Sequence, residues 1–320
     1  MLVATHHGSF HADDVLSWAL IKVFLDPEAT VVRSRDPQVW ADADLVFDVG
    51  AIFDPAARRF DHHQSSYEGP LSSAGMVLNW LEEEGSVQPA LARKLRLGLV
   101  DYVDDVDNGR VRPDPFVPCF ARMVDAFNQG RSSLQDFDRG FELAGHMAIE
   151  LLEGYRRGHQ ALQENERLVV AAMRAADAAR TNLLELDRTI AWKDLYFGHG
   201  GGAHRTEFLL HPGLDGSWRV VAIPPERESF DKKVPFPLAW AGLKDEELEQ
   251  VTGVEGAVFC HKNRFIAVFR TREGALQAIR GAGLVWACCW GWRWPWSEAR
   301  GPGRSAPTPP VRARAGPRSV

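Results

Sequence analysis

Four short segments of this chain gather side chains that hold metals and move protons. THHGSFHADD places His6, His7, His11, Asp13 and Asp14 within nine residues, and RRFDHHQ places Asp61, His62 and His63 behind Arg58 and Arg59. DVG closes the apolar run LVF with Asp48, and YVDDVDNG supplies Asp104, Asp105 and Asp107. Imidazole mixed with carboxylate suits a divalent transition ion better than magnesium alone. Adjacent histidines point in different directions, so one of His62 and His63 can ligate a metal while the other faces substrate. Taken singly, the segments have plainer explanations: Asp13 or Asp14 as an acid at the positive end of a helix, and Asp104 to Asp107 as a solvated acidic turn. Taken together they supply at least three histidines and three aspartates. Two ions roughly 3.5–4 Å apart, sharing a bridging carboxylate, need about that many ligands.

These residues need a scaffold that delivers them to one place. The first 110 residues alternate strand and helix patterns, with strands at 2–5, 30–33 and 45–49 and helices at about 13–24, 73–84 and 89–103. Ser72 or Ser73 is the expected N-cap of the second helix. That order predicts an α/β domain with a mainly parallel, helix-covered sheet, and ligands bind at the carboxyl edge of such sheets. The clusters fall at that edge. From about 134 to 182 the pattern is long and helical, with Gly154 and Gly158 marking a bend or a close packing point. Apolar runs at 205–210, 218–223 and 257–269, and a helix begun at Thr271–Gly274, predict a smaller mixed α/β domain. The expected division is therefore 1–133, a capping and linking helical segment 134–184, the smaller domain 185–280, and a tail from 281.

The 320 residues are 45% hydrophobic and 25% charged, an ordinary globular composition long enough for two cores. No run approaches 18 apolar residues and no signal-like segment opens the chain, so neither a membrane span nor secretion is expected and the cytoplasm is the expected compartment. Cys119, Cys260, Cys288 and Cys289 are too scattered for a disulfide scaffold. Six arginines and a single acid in residues 281–320 leave residues 1–280 at −11, so a nucleic acid must be met by a local basic patch or by bound metal. That tail also holds five of the eleven tryptophans and six of the nineteen prolines. Its composition is what G- and C-rich codons give when read out of frame, and an aromatic, basic arm for single-stranded nucleic acid is the functional alternative.

The succession of these clusters resembles the DHH phosphoesterase superfamily. More closely, THHGSFHADD, DVGAIFDPAARRFDHHQ, SSAG, VDNG, GSWRVVAIP and TREGAL resemble the melanocyte proliferating gene one (MYG-type) exonuclease family, in order over residues 5–276. The resemblance implies a DHH-like two-domain enzyme with two divalent ions, manganese before magnesium. It implies His6, His11 and Asp48 on one ion, with Asp13, Asp48 as the bridge, His62 and Asp104 on the other. His63 then faces the phosphate or leaving group, and Asp61 orients a ligand or water. Asp105 stands where the family has a small residue, which favours Asp104 and Asp107. Arg219, Lys232, Lys233, His261, Arg270 and Arg272 are the candidate phosphate contacts of the second domain. Ala267 and Val268 stand where the family often has a Gly-Gly pair.

The leading expectation is a hydrolase that removes nucleotides from RNA 3′ ends with a two-metal-activated water. A phosphoesterase of small substrates (pyrophosphate, a cyclic dinucleotide or a very short oligonucleotide) fits the acidic body, and a non-catalytic metal or nucleotide-binding regulator is a third class. The expected partner is RNA or a short oligonucleotide and no membrane, and an oligomer is compatible with this.

Overall fold

The computed structural model describes residues 1–286. The chain divides into two units, Met1–Glu164 and Asn165–Val320. Both are α/β.

In the first unit β1 (Leu2–Thr5), β2 (Thr30–Arg33), β3 (Leu45–Phe47), β4 (Phe53–Asp54) and β5 (Arg59–Phe60) form one sheet in the order β2-β1-β3-β5-β4. β1 is parallel to β2 and β3, and β3 is parallel to β5; β4 alone is antiparallel, a short hairpin partner of β5. The parallel sheet expected from the alternation is present, with an antiparallel edge. The strands at 2–5 and 30–33 fall where predicted, whereas β4 and β5 are too short to leave a period in the sequence.

Seven helices cover the described part of this unit: α1 (Ala12–Phe24), α2 (Pro37–Ala41), α3 (Ser73–Glu83), α4 (Pro89–Leu95), α5 (Asp101–Asp107), α6 (Phe120–Ala126) and the start of α7 (Leu134–Ala178). Eleven of the thirteen residues of α1 are buried, as its run of apolar residues on all sides requires. It packs against α3, α5 and α6, and Leu16, Leu20, Phe47, Phe60, Leu78 and Phe141 belong to the same core. On the opposite face of the sheet a small cluster of Ala4, Ala43, Val46 and Val49 is covered by Trp40.

The helix expected over 89–103 is broken by a π turn at residues 96–100, after which α5 runs on to Asp107. Asp104 and Asp107 therefore share one face, three residues apart. Helix α7 runs through Gly154 and Gly158 without a break, and both glycines are exposed with open space where a Cβ would stand. They mark neither a bend nor a close approach.

The second unit holds β6 (Leu183–Glu185), β7 (Phe208–Pro212), β8 (Trp218–Ala222), β9 (Ala257–Cys260) and β10 (Ile266–Phe269) in the order β6-β7-β8-β10-β9, with helices α8 (Trp192–Gly198), α9 (Asp245–Thr252) and α10 (Arg272–Gly281). β6 and β7 are parallel and the remaining pairs antiparallel. The apolar run 257–269 is two strands, turned through Arg264 at φ 57°. α10 is capped by the Thr271 hydroxyl, which accepts from Gly274 N at 3.0 Å.

The chain does not leave this fold after Arg280. Leu284 and Val285 pack on the second core, Asn182 Nδ2 donates to Leu284 O at 2.8 Å, and Thr181 Oγ1 donates to Trp286 O at 2.8 Å. The rest of the expected tail, 287–320, lies outside the described residues. Among the described residues no helix is long and apolar enough to cross a membrane.

Candidate metal centre

The carboxyl ends of β1, β3 and β5 deliver the first cluster of side chains. His6 follows β1 directly, and Gly8 at φ 86° turns the chain toward α1. His11 N donates to Asp14 Oδ1 at 2.9 Å, which caps α1 from within and fixes both residues at its mouth. Asp48 follows β3 at φ 54°, a left-handed conformation that aspartate tolerates better than most residues, while its N–H still donates to Phe60 O at 3.0 Å. The strand thus ends by turning one carboxylate inward.

Asp48 lies at the hub of these contacts. Its Oδ2 is 3.2 Å from His6 Nε2, and its Oδ1 is 3.5 Å from His63 Nδ1 and 3.9 Å from His62 Nδ1. His6 Nε2 also meets Asp14 Oδ2 at 3.2 Å, and His62 Nε2 meets Asp107 Oδ2 at 2.9 Å. Ligand atoms of three groups lie within 4.8 Å of one another: His6, Asp14 and Asp48; Asp48, Asp61, His62 and His63; and His11, Asp13 and Asp107. His6, His11, Asp13, Asp48 and His62 are thereby brought to one region by neighbouring and shared contacts. Asp14 and Asp107 join them. Asp14 belongs to the THHGSFHADD cluster but not to the ligand set that the resemblance implies.

Asp104 is used differently. Its Oδ1 accepts from Ser72 N at 3.0 Å, Ser72 Oγ at 2.7 Å and Gly75 N at 3.1 Å, so it caps α3 from a neighbouring helix. The expected serine cap makes no side-chain bond to α3 itself. A Cβ at Gly75 would stand 2.2 Å from Asp104 Oδ2, which explains the glycine of the SSAG segment. Ser73 Oγ in the same segment donates to Asp48 Oδ1 at 3.4 Å. Asp105 points away and pairs with Arg110 at 2.7 Å.

The two histidines of DHH do not diverge as expected. Their rings stack with centroids 4.3 Å apart and both Nδ1 atoms face Asp48. They differ in exposure instead, the His62 side chain at 8% and the His63 side chain at 60%. Asp61 Oδ1 meets His63 Nδ1 at 2.8 Å, and its Oδ2 accepts from Ala51 N at 2.6 Å, tying the DHH turn to the DVGA turn.

The electrostatics are those of a site short of positive charge. Burial raises Asp13 well above the ordinary carboxylate range, and the charges of Asp48 and Asp107 raise it further. Burial likewise raises Asp48, with His6 opposing. Burial would lower His6, but the carboxylates of Asp14 and Asp48 lift it to about 10. Both Asp13 oxygens and His62 Nδ1 are buried and meet no hydrogen-bonding partner of opposite character among the described residues, while Asp14 Oδ2 has only the His6 ring at 3.2 Å. Buried acceptors left bare cost about 1–3 kcal/mol each unless a ligand satisfies them, more when charged. A divalent cation is the ligand this donor set fits.

The candidate contacts of the second unit are mostly engaged within it. Arg272 donates to Glu185, Arg219 pairs with Asp215 at 3.6 Å, and His261 Nδ1 accepts from Asn263 N at 3.0 Å. Lys233 Nζ donates to Gly201 O, His204 O and Thr206 O at 2.8–3.1 Å. Arg270 is exposed, with its methylenes beside Gly256, and Lys232 is half-buried. Ala267 is fully buried in the core, so this position serves packing.

Comparison with known proteins places the chain. The MYG1 exonuclease family model, described as an uncharacterised protein family (UPF0160), matches residues 2–282. The chain belongs to this family. It is 38% identical over 280 residues to the MYG1 protein of Chlamydia pneumoniae, covering 87% of this chain and 95% of that one. The MYG1 protein of Dictyostelium discoideum is 32% identical over 314 residues, covering 86% and 94%. The MYG1 exonuclease of Homo sapiens is 31% identical over 321 residues, covering 87% and 84%. All the ligand-bearing segments of this MYG1-family chain lie inside the matched range.

Proposed function

We propose that this protein is a divalent-metal-dependent phosphodiester hydrolase, acting as a 3′ to 5′ exonuclease on RNA. The observation that carries the metal is Asp13, fully buried, with no N–H or hydroxyl donor on either oxygen among the described residues and set against the Asp107 carboxylate and His11. The nuclease assignment is supported by relatives named MYG1 exonuclease. A DHH-like architecture is consistent with a parallel sheet that gathers the site at its carboxyl edge.

In this reading His6, Asp14 and Asp48 would hold one ion, and His11, Asp13 and Asp107, with His62 beside them, would hold the other. Asp107 takes the part first expected of Asp104, whose Oδ1 is occupied by three donors. Bound there, divalent ions, manganese foremost, supply Lewis acidity toward a phosphoryl oxygen and acidify the attacking water. The chain's own residues do the remaining work. The hydrogen bond to Asp61 raises His63 above its ordinary range, against its partial burial. Asp61 holds Nδ1, which leaves Nε2 to protonate the departing oxygen. Asp61 is itself held low by His63 and by the Ala51 and His63 amides, against its burial, and keeps its charge.

The experiment is 5′-labelled short RNA with manganese, comparing wild type with Asp48→Ala and His62→Ala. A descending ladder that both variants abolish supports the nuclease and the site together. A second reading, a phosphoesterase of small substrates in a cytoplasmic setting, is favoured by the −11 charge of residues 1–280. Intact RNA alongside turnover of pyrophosphate or a cyclic dinucleotide selects it.

A further inference from the structure

One cation beside the metal centre is unspent. Arg35 follows β2 and is exposed on a cavity of about 600 Å³ that His6, Asp48, His63 and Trp40 also line. No other arginine or lysine lines that cavity. Arg33, Arg59, Arg96 and Arg110 of the same unit each end on a carboxylate or a carbonyl. Among the described residues Arg35 ends on none. The nearest acid in sequence is committed elsewhere, since Asp36 Oδ1 accepts from Gln38 N at 3.0 Å as the cap of α2. Trp40 is a fixed wall of the cavity, its Nε1 donating to Ser34 O at 2.8 Å and its ring lying against Gly50.

The cavity is far larger than a phosphate and falls in the range that holds a small organic ligand. A phosphate undergoing cleavage has its charge met by the metal ions. A guanidinium set apart from every carboxylate on the same cavity therefore matches a second anionic group of the same substrate. Resting on the nuclease reading above, we propose that Arg35 binds a substrate phosphate adjacent to the scissile one, making this cavity the subsite for the neighbouring nucleotide.

The test uses two dinucleotides that differ only in a 5′-phosphate, with manganese, on wild type, Arg35→Ala and Arg35→Lys. Wild type should cleave the phosphorylated one with a kcat/KM about tenfold higher, the scale of one charge-assisted contact. In Arg35→Ala that ratio should fall toward one while manganese affinity, measured by calorimetry, is retained, and Arg35→Lys should restore part of it. A ratio that persists in Arg35→Ala, or is absent from wild type, overturns the assignment. If wild type cleaves neither dinucleotide, the nuclease reading falls. Calorimetric titration with the phosphorylated dinucleotide then decides Arg35 separately: weaker binding by Arg35→Ala sustains it and equal binding refutes it.

Discussion

Two polar clusters, one in each unit, are treated in opposite ways. In the second unit half-buried Lys233 spends its ammonium on three carbonyls, and Tyr196 Oη shares a 2.7 Å hydrogen bond with Thr206 Oγ1. In the first, Asp13 and His62 keep bare buried atoms among the described residues. A satisfied network stabilises a fold. An unsatisfied one, held in place by a well-packed helix such as α1, costs stability that a ligand must return.

This contrast can be broken most directly at Asp48 and Asp13. Asp48→Ala should lower phosphodiesterase turnover by more than about a hundredfold, measured with labelled RNA and manganese. Asp13→Asn should separate function from stability: in chelator it should melt above wild type, because a buried carboxyl whose ionisation is opposed by burial and by Asp48 and Asp107 is replaced by a neutral amide. Wild type should gain about 2.7 kcal/mol at a hundredfold excess of manganese over its Kd, and the variant little of it, as scanning calorimetry would record. A variant that melts below wild type in chelator would mean Asp13 is structural.

In the satisfied region Lys233→Met should behave oppositely, costing about 2 kcal/mol in urea denaturation with no response to metal, because it leaves carbonyls bare. Asp104→Ala sharpens the comparison inside the first unit. Loss of the α3 cap should cost about 1–2 kcal/mol while manganese affinity, read by calorimetry, is retained. Asp107→Asn should lower that affinity, and if Asp104→Ala lowers it as much, Asp104 is a ligand as first expected.

The smallest effect concerns pH. Burial lowers His211 below its ordinary range, helped by Arg219 and opposed by its bond to Pro212 O. The unfolded chain then binds more protons, so the stability His211 contributes is present above pH 6.5 and lost as pH falls through its folded value. His211→Gln should flatten the urea midpoint between pH 7 and pH 5, and an unchanged slope would remove His211 from the account.

Much of the site was legible because metal chemistry restricts residue types. His6, His11, Asp13, Asp48 and His62 declare themselves by clustering after apolar strand runs, and the strands at 2–5 and 30–33 by their length and branching. The two-residue strands that place the DHH turn were not legible, since no period survives in two residues. Nor was the division of labour in VDDVDNG. One turn of helix puts Asp104 against the Ser72 and Gly75 amides and Asp107 against His62, and sequence spacing is silent on which carboxylate meets donors and which meets ligands. The sequence by itself determined the candidate residues for such a centre and the sheet edge that carries them, because strand alternation and ligand chemistry are local. Only the tertiary structure decided which acids are satisfied and which stay bare, because that depends on donors at the start of α3 that lie 29 to 32 residues from the α5 carboxylate they meet.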